Sequence, residues 1–144
     1  GKGILHRAIT VFIFNDKKEI LLTRRSELKK LWPLSWDTSC STHVFPGETY
    51  EQAGERRLPE ELGFFCKLKY LFKFIYQAEF GKLGSENEMC ALLVGDYAGK
   101  VPFNPKEISE CKWISLEDLR KSIDEADNTP WLKAAFLEYS KYAK

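Results

Sequence analysis

The stretch from Cys40 to Glu61, CSTHVFPGETYEQAGERRLPEE, gathers a thiol, hydroxyls, an imidazole, two guanidinium groups and several carboxylates. Side chains of these types can move protons, ligate a cation or grip an anion. Cys40, Ser41 and His43 lie in a polar, strand-like segment, and a Pro46-Gly47 turn leads from it into a charged helix. Arg57 and Glu61 are four residues apart and share a helical face, which as an isolated pattern is a solvated ion pair. A second acidic pair follows in the run ENEMCALLV, where Glu86 and Glu88, two apart, point to one side of a strand. Like charges so placed repel unless a cation, a proton or an arginine relieves them. Upstream of both, Arg24, Arg25, Lys29 and Lys30 form a basic segment. Against an anion, Arg25 could chelate two oxygens and Lys29 supply a point charge.

The elements that must position these groups can be read from local signals. Thr49 is an N-cap with Gln52 three residues on, a capping-box spacing, and Glu48 and Glu51 sit where the helix dipole favours anions. Gly63 offers a left-handed C-cap. Pro59, inside that helix, predicts a kink or a local break. Ala8–Phe14 and Glu19–Arg25 read as a hairpin around Asn15-Asp16-Lys17-Lys18, and Trp32 and Pro33 pin a loop over 26–35. An aromatic-rich strand is expected over Phe65–Phe80, a turn over Gly81–Ser85, a strand from Glu86 to Val94 and a short one over Cys111–Ile114. Ser115 caps a helix from Leu116 to Ile123, and Thr129-Pro130 opens the last helix with proline at its first position. Phe136, Tyr139 and Tyr142 fall at core spacing, which leaves Trp131, at the open end of that helix, for a site.

With 144 residues the chain is expected to fold as one domain over 1–144. Lys and Arg number 22 against 21 Asp and Glu, so no general basic field suggests nucleic acid and any anion site must be local. No stretch is long and apolar enough to span a membrane, and GKGILHRAIT lacks the apolar segment of a signal peptide. Cys40, Cys66, Cys90 and Cys111 have no C-x-x-C spacing. A cytoplasmic protein with reduced thiols is the expectation; the oligomeric state is left open.

The string G-E-x(7)-R-x-L-x-E-E-x-G resembles the Nudix box, with Thr42 where that pattern has glycine and Arg57 where it has glutamate. Together with His6, TRRSELKK, WPLSW, SCSTH, Tyr76, ENEMC and TPW, it is similar to the type 1 isopentenyl-diphosphate isomerases, a Nudix-fold family, along almost the whole chain. The resemblance implies an α/β Nudix fold, a mixed sheet sandwiched between helices. It implies a small-molecule diphosphate substrate, isopentenyl diphosphate, isomerised to dimethylallyl diphosphate by protonation and deprotonation. Ser41 falls at the family's catalytic cysteine and Glu88 at the glutamate acting from the opposite side. His6, His43, Glu86 and Glu88 match ligands of a protein-bound divalent metal, Mn²⁺ or Zn²⁺, while Glu61 matches the residue that helps bind Mg²⁺. Arg25, Lys29 and Arg57 match the diphosphate clamps, and Tyr76 and Trp131 the aromatic walls. Two other readings compete: a Nudix hydrolase acting on a nucleoside diphosphate or related compound, and a diphosphate-binding module without chemistry. A serine is a poorer proton donor than a thiol of pKa about 8.5, so slow turnover is expected. Cys40, on the other face of its strand, cannot stand in.

Overall fold

A computed structural model describes residues 6–79 and 85–143, with side chains for 6–76 and 88–143. Among the described residues seven strands form one sheet: β1 (His6–Phe14), β2 (Ile20–Arg25), β3 (Trp36–Asp37), β4 (Cys40–His43), β5 (Lys69–Glu79), β6 (Ser85–Asp96) and β7 (Ile108–Ile114). The helices are α1 (Tyr50–Leu62), α2 (Leu116–Ser122) and α3 (Pro130–Tyr142). The main path through the sheet runs β3-β2-β1-β6-β5, with β4 paired to β1 and β7 to β2. β1 and β6 run parallel from His6 opposite Glu88 to Phe14 opposite Asp96, whereas the other pairings are antiparallel, so the sheet is mixed.

Alternation along β1 sends its side chains to two cores. Ile9, Val11 and Ile13 pack with Leu58 and Leu62 of α1, while Ala8 and Phe12 pack with Leu119 of α2 and Leu132 and Phe136 of α3. The sheet therefore lies between α1 on one face and α2 and α3 on the other, as the sequence predicts.

The capping box forms: Thr49 Oγ1 accepts from the Gln52 amide at 3.0 Å and Gln52 Oε1 from the Thr49 amide at 2.9 Å. Pro59 does not break α1, contrary to the expectation from its propensity. Its ring is exposed, and Leu58 and Leu62, on the packed side, are fully buried. The cost of a missing N–H is outweighed by a helix face already fixed against the sheet. β1, β6 and β7 outrun their predicted limits because pairing extends them, whereas β5 begins at Lys69, inside its predicted span. β5 and β6 stay in register from Lys69–Val94 to Glu79–Ser85, with one irregularity between Tyr70 and Phe72.

Gly63 ends α1 in the left-handed region, φ 74°, and its N–H bonds the Pro59 carbonyl at 3.2 Å. A Cβ there would stand 2.4 Å from the Pro102 carbonyl oxygen. Gly63→Ala is therefore expected to lose at least the roughly 1–2 kcal/mol of a left-handed alanine, read as a lower denaturation midpoint in urea.

Candidate active site

A cleft of about 250 Å³ opens where β4, β6, α1, the 26–35 loop and the start of α3 converge. Ser41, His43, Glu88, Arg25, Lys29, Arg57, Glu61 and Trp131 all line it. Ser41 pairs with Thr10 on one flank of β1, and Glu88 with His6 on the other. The serine and the glutamate thus reach the cleft from strands on either side of β1.

Ser41 Oγ lies 2.8 Å from Thr38 Oγ1, which is in turn 3.2 Å from Asp37 Oδ1. The serine hydroxyl is chained in this way to a buried carboxylate. Cys40 packs in the α1-side core, and burial first, then the adjacent Glu61 carboxylate, push its thiol well above the ordinary range. It supplies no thiolate at neutral pH.

At the other side His43 Nε2 and Glu88 Oε2 are in contact at 2.5 Å. The His6 ring centre is 6.0 Å from that of His43, and His6 is exposed at the rim instead of lining the cleft. Glu86 belongs to β6 opposite Ala78, but its side chain lies outside the described residues. Among the described residues no group of three His, Cys, Asp or Glu side chains is placed to hold a metal ion. Two imidazoles and a carboxylate nevertheless occupy one end of the β4-β1-β6 ladder, a donor set that suits a borderline divalent ion.

Arg25, Lys29 and Arg57 are all paired. Arg25 donates from NH1 to Asp37 Oδ2 at 3.1 Å and from Nε to the Leu31 carbonyl at 3.1 Å, and its guanidinium lies 5.1 Å from the centre of the Trp131 ring. Arg57 NH2 donates to Glu61 Oε2 and to Glu107 Oε1, each at 3.0 Å. Lys29 Nζ donates to that same Glu107 oxygen. Burial opposes the charge on Arg57, but Glu61, Glu107 and Glu60 together more than offset it and raise its pKa. Burial raises the pKa of Glu61, against the pull of Arg57. Lys29, by hydrogen bonding, holds the Glu107 carboxyl below its usual range.

Trp131 donates from Nε1 to Asp37 Oδ1 at 2.6 Å. Its ring meets Trp32 edge-on at 5.2 Å and Tyr76 at 6.4 Å. Tyr76 is buried and does not line the cleft, so it backs the tryptophan and is not itself a wall. The turn before α3 is stitched to β3 by Trp36 N to Asp127 O, 2.7 Å, and Thr129 N to Trp36 O, 2.9 Å, which holds Trp131 over the cleft.

Asp37 and Glu107 are the functional-site residues that sequence reasoning misses. Asp37 lies three residues before the polar Cys40–His43 segment, and an acid among hydroxyls next to a tryptophan is the one available signal. Glu107 lies 50 residues from Arg57 and 78 from Lys29, with no spacing that connects them.

This α/β sandwich, with its charged helix against the cleft, is the architecture of the Nudix fold. A crystal structure of a Deinococcus radiodurans protein matches it at TM-score 0.79 and 24% identity, over 96% of this chain and 86% of that one. The MutT protein of Methanosarcina mazei matches at TM-score 0.79 and 21% identity, over 100% and 99% of the two chains. Residues 4–135 match the NUDIX domain family. Isopentenyl-diphosphate Delta-isomerase 2 of Photorhabdus laumondii is 38% identical over 92% of this chain and 76% of its own length. Isopentenyl-diphosphate Delta-isomerase 2 of Aromatoleum aromaticum is 35% identical over 92% and 71%. The chain belongs to the isopentenyl-diphosphate Delta-isomerase family within the NUDIX domain proteins.

Proposed function

We propose that this protein interconverts isopentenyl diphosphate and dimethylallyl diphosphate. The observation that carries the reading is the convergence of Ser41 and Glu88 on one cleft that Arg25, Lys29 and Arg57 also line. A proton added to the terminal alkene carbon gives a tertiary carbocation, and loss of a proton from the adjacent carbon gives the isomer. Glu88 exchanges the proton on one face of the allyl unit. The Ser41 hydroxyl exchanges the other, with Thr38 and Asp37 behind it as a hydrogen-bonded path to a carboxylate. Trp131 presents a π face to the cation, an interaction of about 0.5–2 kcal/mol, and Asp37 fixes its ring. Lys29 and Arg57, with Arg25, bind the diphosphate.

His6, His43, Glu86 and Glu88 would hold a divalent ion, Mn²⁺ or Zn²⁺, and Glu61 would join the diphosphate in binding Mg²⁺. Held there, such an ion would supply a fixed positive charge that orients Glu88 and tunes its proton affinity. The single-domain organisation over 1–144 and a cytoplasmic setting belong to the same reading. Among the described residues no helix is long and apolar enough to cross a membrane.

Arg57 distinguishes this reading from diphosphate hydrolysis. Its guanidinium takes a place on α1 where a carboxylate would help hold a metal for water attack. Incubation with isopentenyl diphosphate and Mg²⁺, followed by chromatography, is expected to yield dimethylallyl diphosphate. Dialysis against a strong chelator should reduce the rate at least about tenfold, and Mn²⁺ or Zn²⁺ together with Mg²⁺ should restore it. Release of phosphate or of a nucleoside monophosphate from a diphosphate panel, with no isomerisation, would replace this reading by the hydrolase one. Binding without turnover would leave a diphosphate-binding module.

A further inference from the structure

We infer that Glu107 is the positioning residue of the diphosphate clamp: its carboxylate gathers Lys29 and Arg57 at the cleft mouth before any ligand arrives. The inference rests on the isomerase reading for the identity of the ligand and goes beyond it in naming what organises the cations.

Lys29 Nζ and Arg57 NH2 donate to one and the same oxygen, Glu107 Oε1. Two donors within hydrogen-bond reach of a single acceptor stand no more than about 6 Å apart, and two cations so close repel in the absence of the anion between them. They come from different elements, Lys29 from the 26–35 loop and Arg57 from α1, so no local geometry makes them neighbours. Glu107 also joins those elements through its backbone. Its carbonyl accepts from Ser26 N at 3.0 Å, at the root of the Lys29 loop, and its amide donates to Asn104 O at 3.0 Å. Asn104 N in turn donates to the Glu61 carbonyl at 2.8 Å, at the end of α1. The carboxylate therefore stands where the segment 104–108 is fastened both to the loop and to the helix.

Neither cation is used up by this contact. A lysine ammonium has three N–H donors and a guanidinium five, so both can serve Glu107 and a diphosphate together. A clamp assembled in advance spares the ligand the work of bringing two repelling charges together, which is the general source of affinity from preorganisation. The opposing effect is simple: Glu107 is itself an anion near the ligand, and if that repulsion prevailed, its removal would tighten binding.

The test compares wild type with Glu107→Gln and Glu107→Asp. With isopentenyl diphosphate and Mg²⁺, Glu107→Gln is expected to raise KM about tenfold with kcat within about twofold, and Glu107→Asp to recover part of the loss. Calorimetric titration with inorganic diphosphate and Mg²⁺ should show a matching rise in Kd, independent of turnover. In a Lys29→Met background Glu107→Gln should add less than about twofold, because the pair acts as a unit. Thermal melts separate folding from binding: a lowered Tm with KM and Kd unchanged makes Glu107 structural only and overturns the inference. A lowered KM or Kd also overturns it and makes Glu107 a competing anion. If wild type binds neither inorganic diphosphate nor isopentenyl diphosphate, the diphosphate reading itself falls and this role with it. Binding by wild type that Glu107→Gln leaves intact removes only the role of Glu107.

Discussion

Ser41→Cys is expected to raise kcat for isopentenyl diphosphate isomerisation by on the order of 100-fold, with KM changed little. The side chain at 41 faces the cleft from β4 and touches Thr38 Oγ1 at 2.8 Å. An alcohol gives up or accepts a proton only with help, here from the path through Thr38 to Asp37. A thiol with pKa about 8.5 exchanges protons close to neutral pH without that help, and it differs from the hydroxyl by one atom. The native Cys40 does not interfere, because burial and Glu61 keep its thiol protonated. Initial rates for the two forms at matched metal concentrations provide the check. Equal rates would mean that the group at 41 takes no part in proton movement.

The second large effect is expected at Glu88. Glu88→Gln should lower kcat by on the order of 1,000-fold or more while KM stays within about threefold. The amide has the shape of the carboxyl group and can still meet His43 Nε2, now 2.5 Å from Glu88 Oε2, but it cannot carry a proton. Arg25, Lys29 and Arg57, the proposed diphosphate contacts, lie on other elements and keep their partners, which is why the loss falls on kcat. Solvent-deuterium incorporation into recovered isopentenyl diphosphate gives a separate readout, since a block at one face leaves exchange only at the other. A variant retaining more than a tenth of wild-type kcat would move this proton transfer to a different residue.

The parts of the fold that were legible in the sequence are those settled within a few residues. Thr49, Gln52 and Gly63 cap α1 as their types predict, and Thr129-Pro130 opens α3, with Thr129 Oγ1 accepting from Leu132 N at 3.2 Å. Ser41 and Glu88 were legible as cleft residues through their motifs. Propensity misjudged Pro59 because it prices an interior proline without knowing which side of the helix is packed. Tyr76 falls to a wall through the resemblance, whereas its depth depends on where α3 lies. β3, only two residues long, exists through hydrogen bonds to β2 and to the turn before α3, neither of which leaves a periodic signal. Asp37 bonds Arg25 across 12 positions and Trp131 across 94, so its role emerges only when the chain has folded.

The pairing of Arg25, Lys29 and Arg57 with Asp37, Glu61 and Glu107 has a kinetic corollary. Positive and negative charge cancel at the entrance, and the chain as a whole carries only +1. No long-range attraction then draws an anion in from solution, so encounter proceeds at the neutral rate of about 10⁵–10⁶ M⁻¹s⁻¹ and responds weakly to ionic strength. Under the proposed function such an entrance suits a guest whose charge a bound cation has mostly offset, and it gives little welcome to bare polyanions.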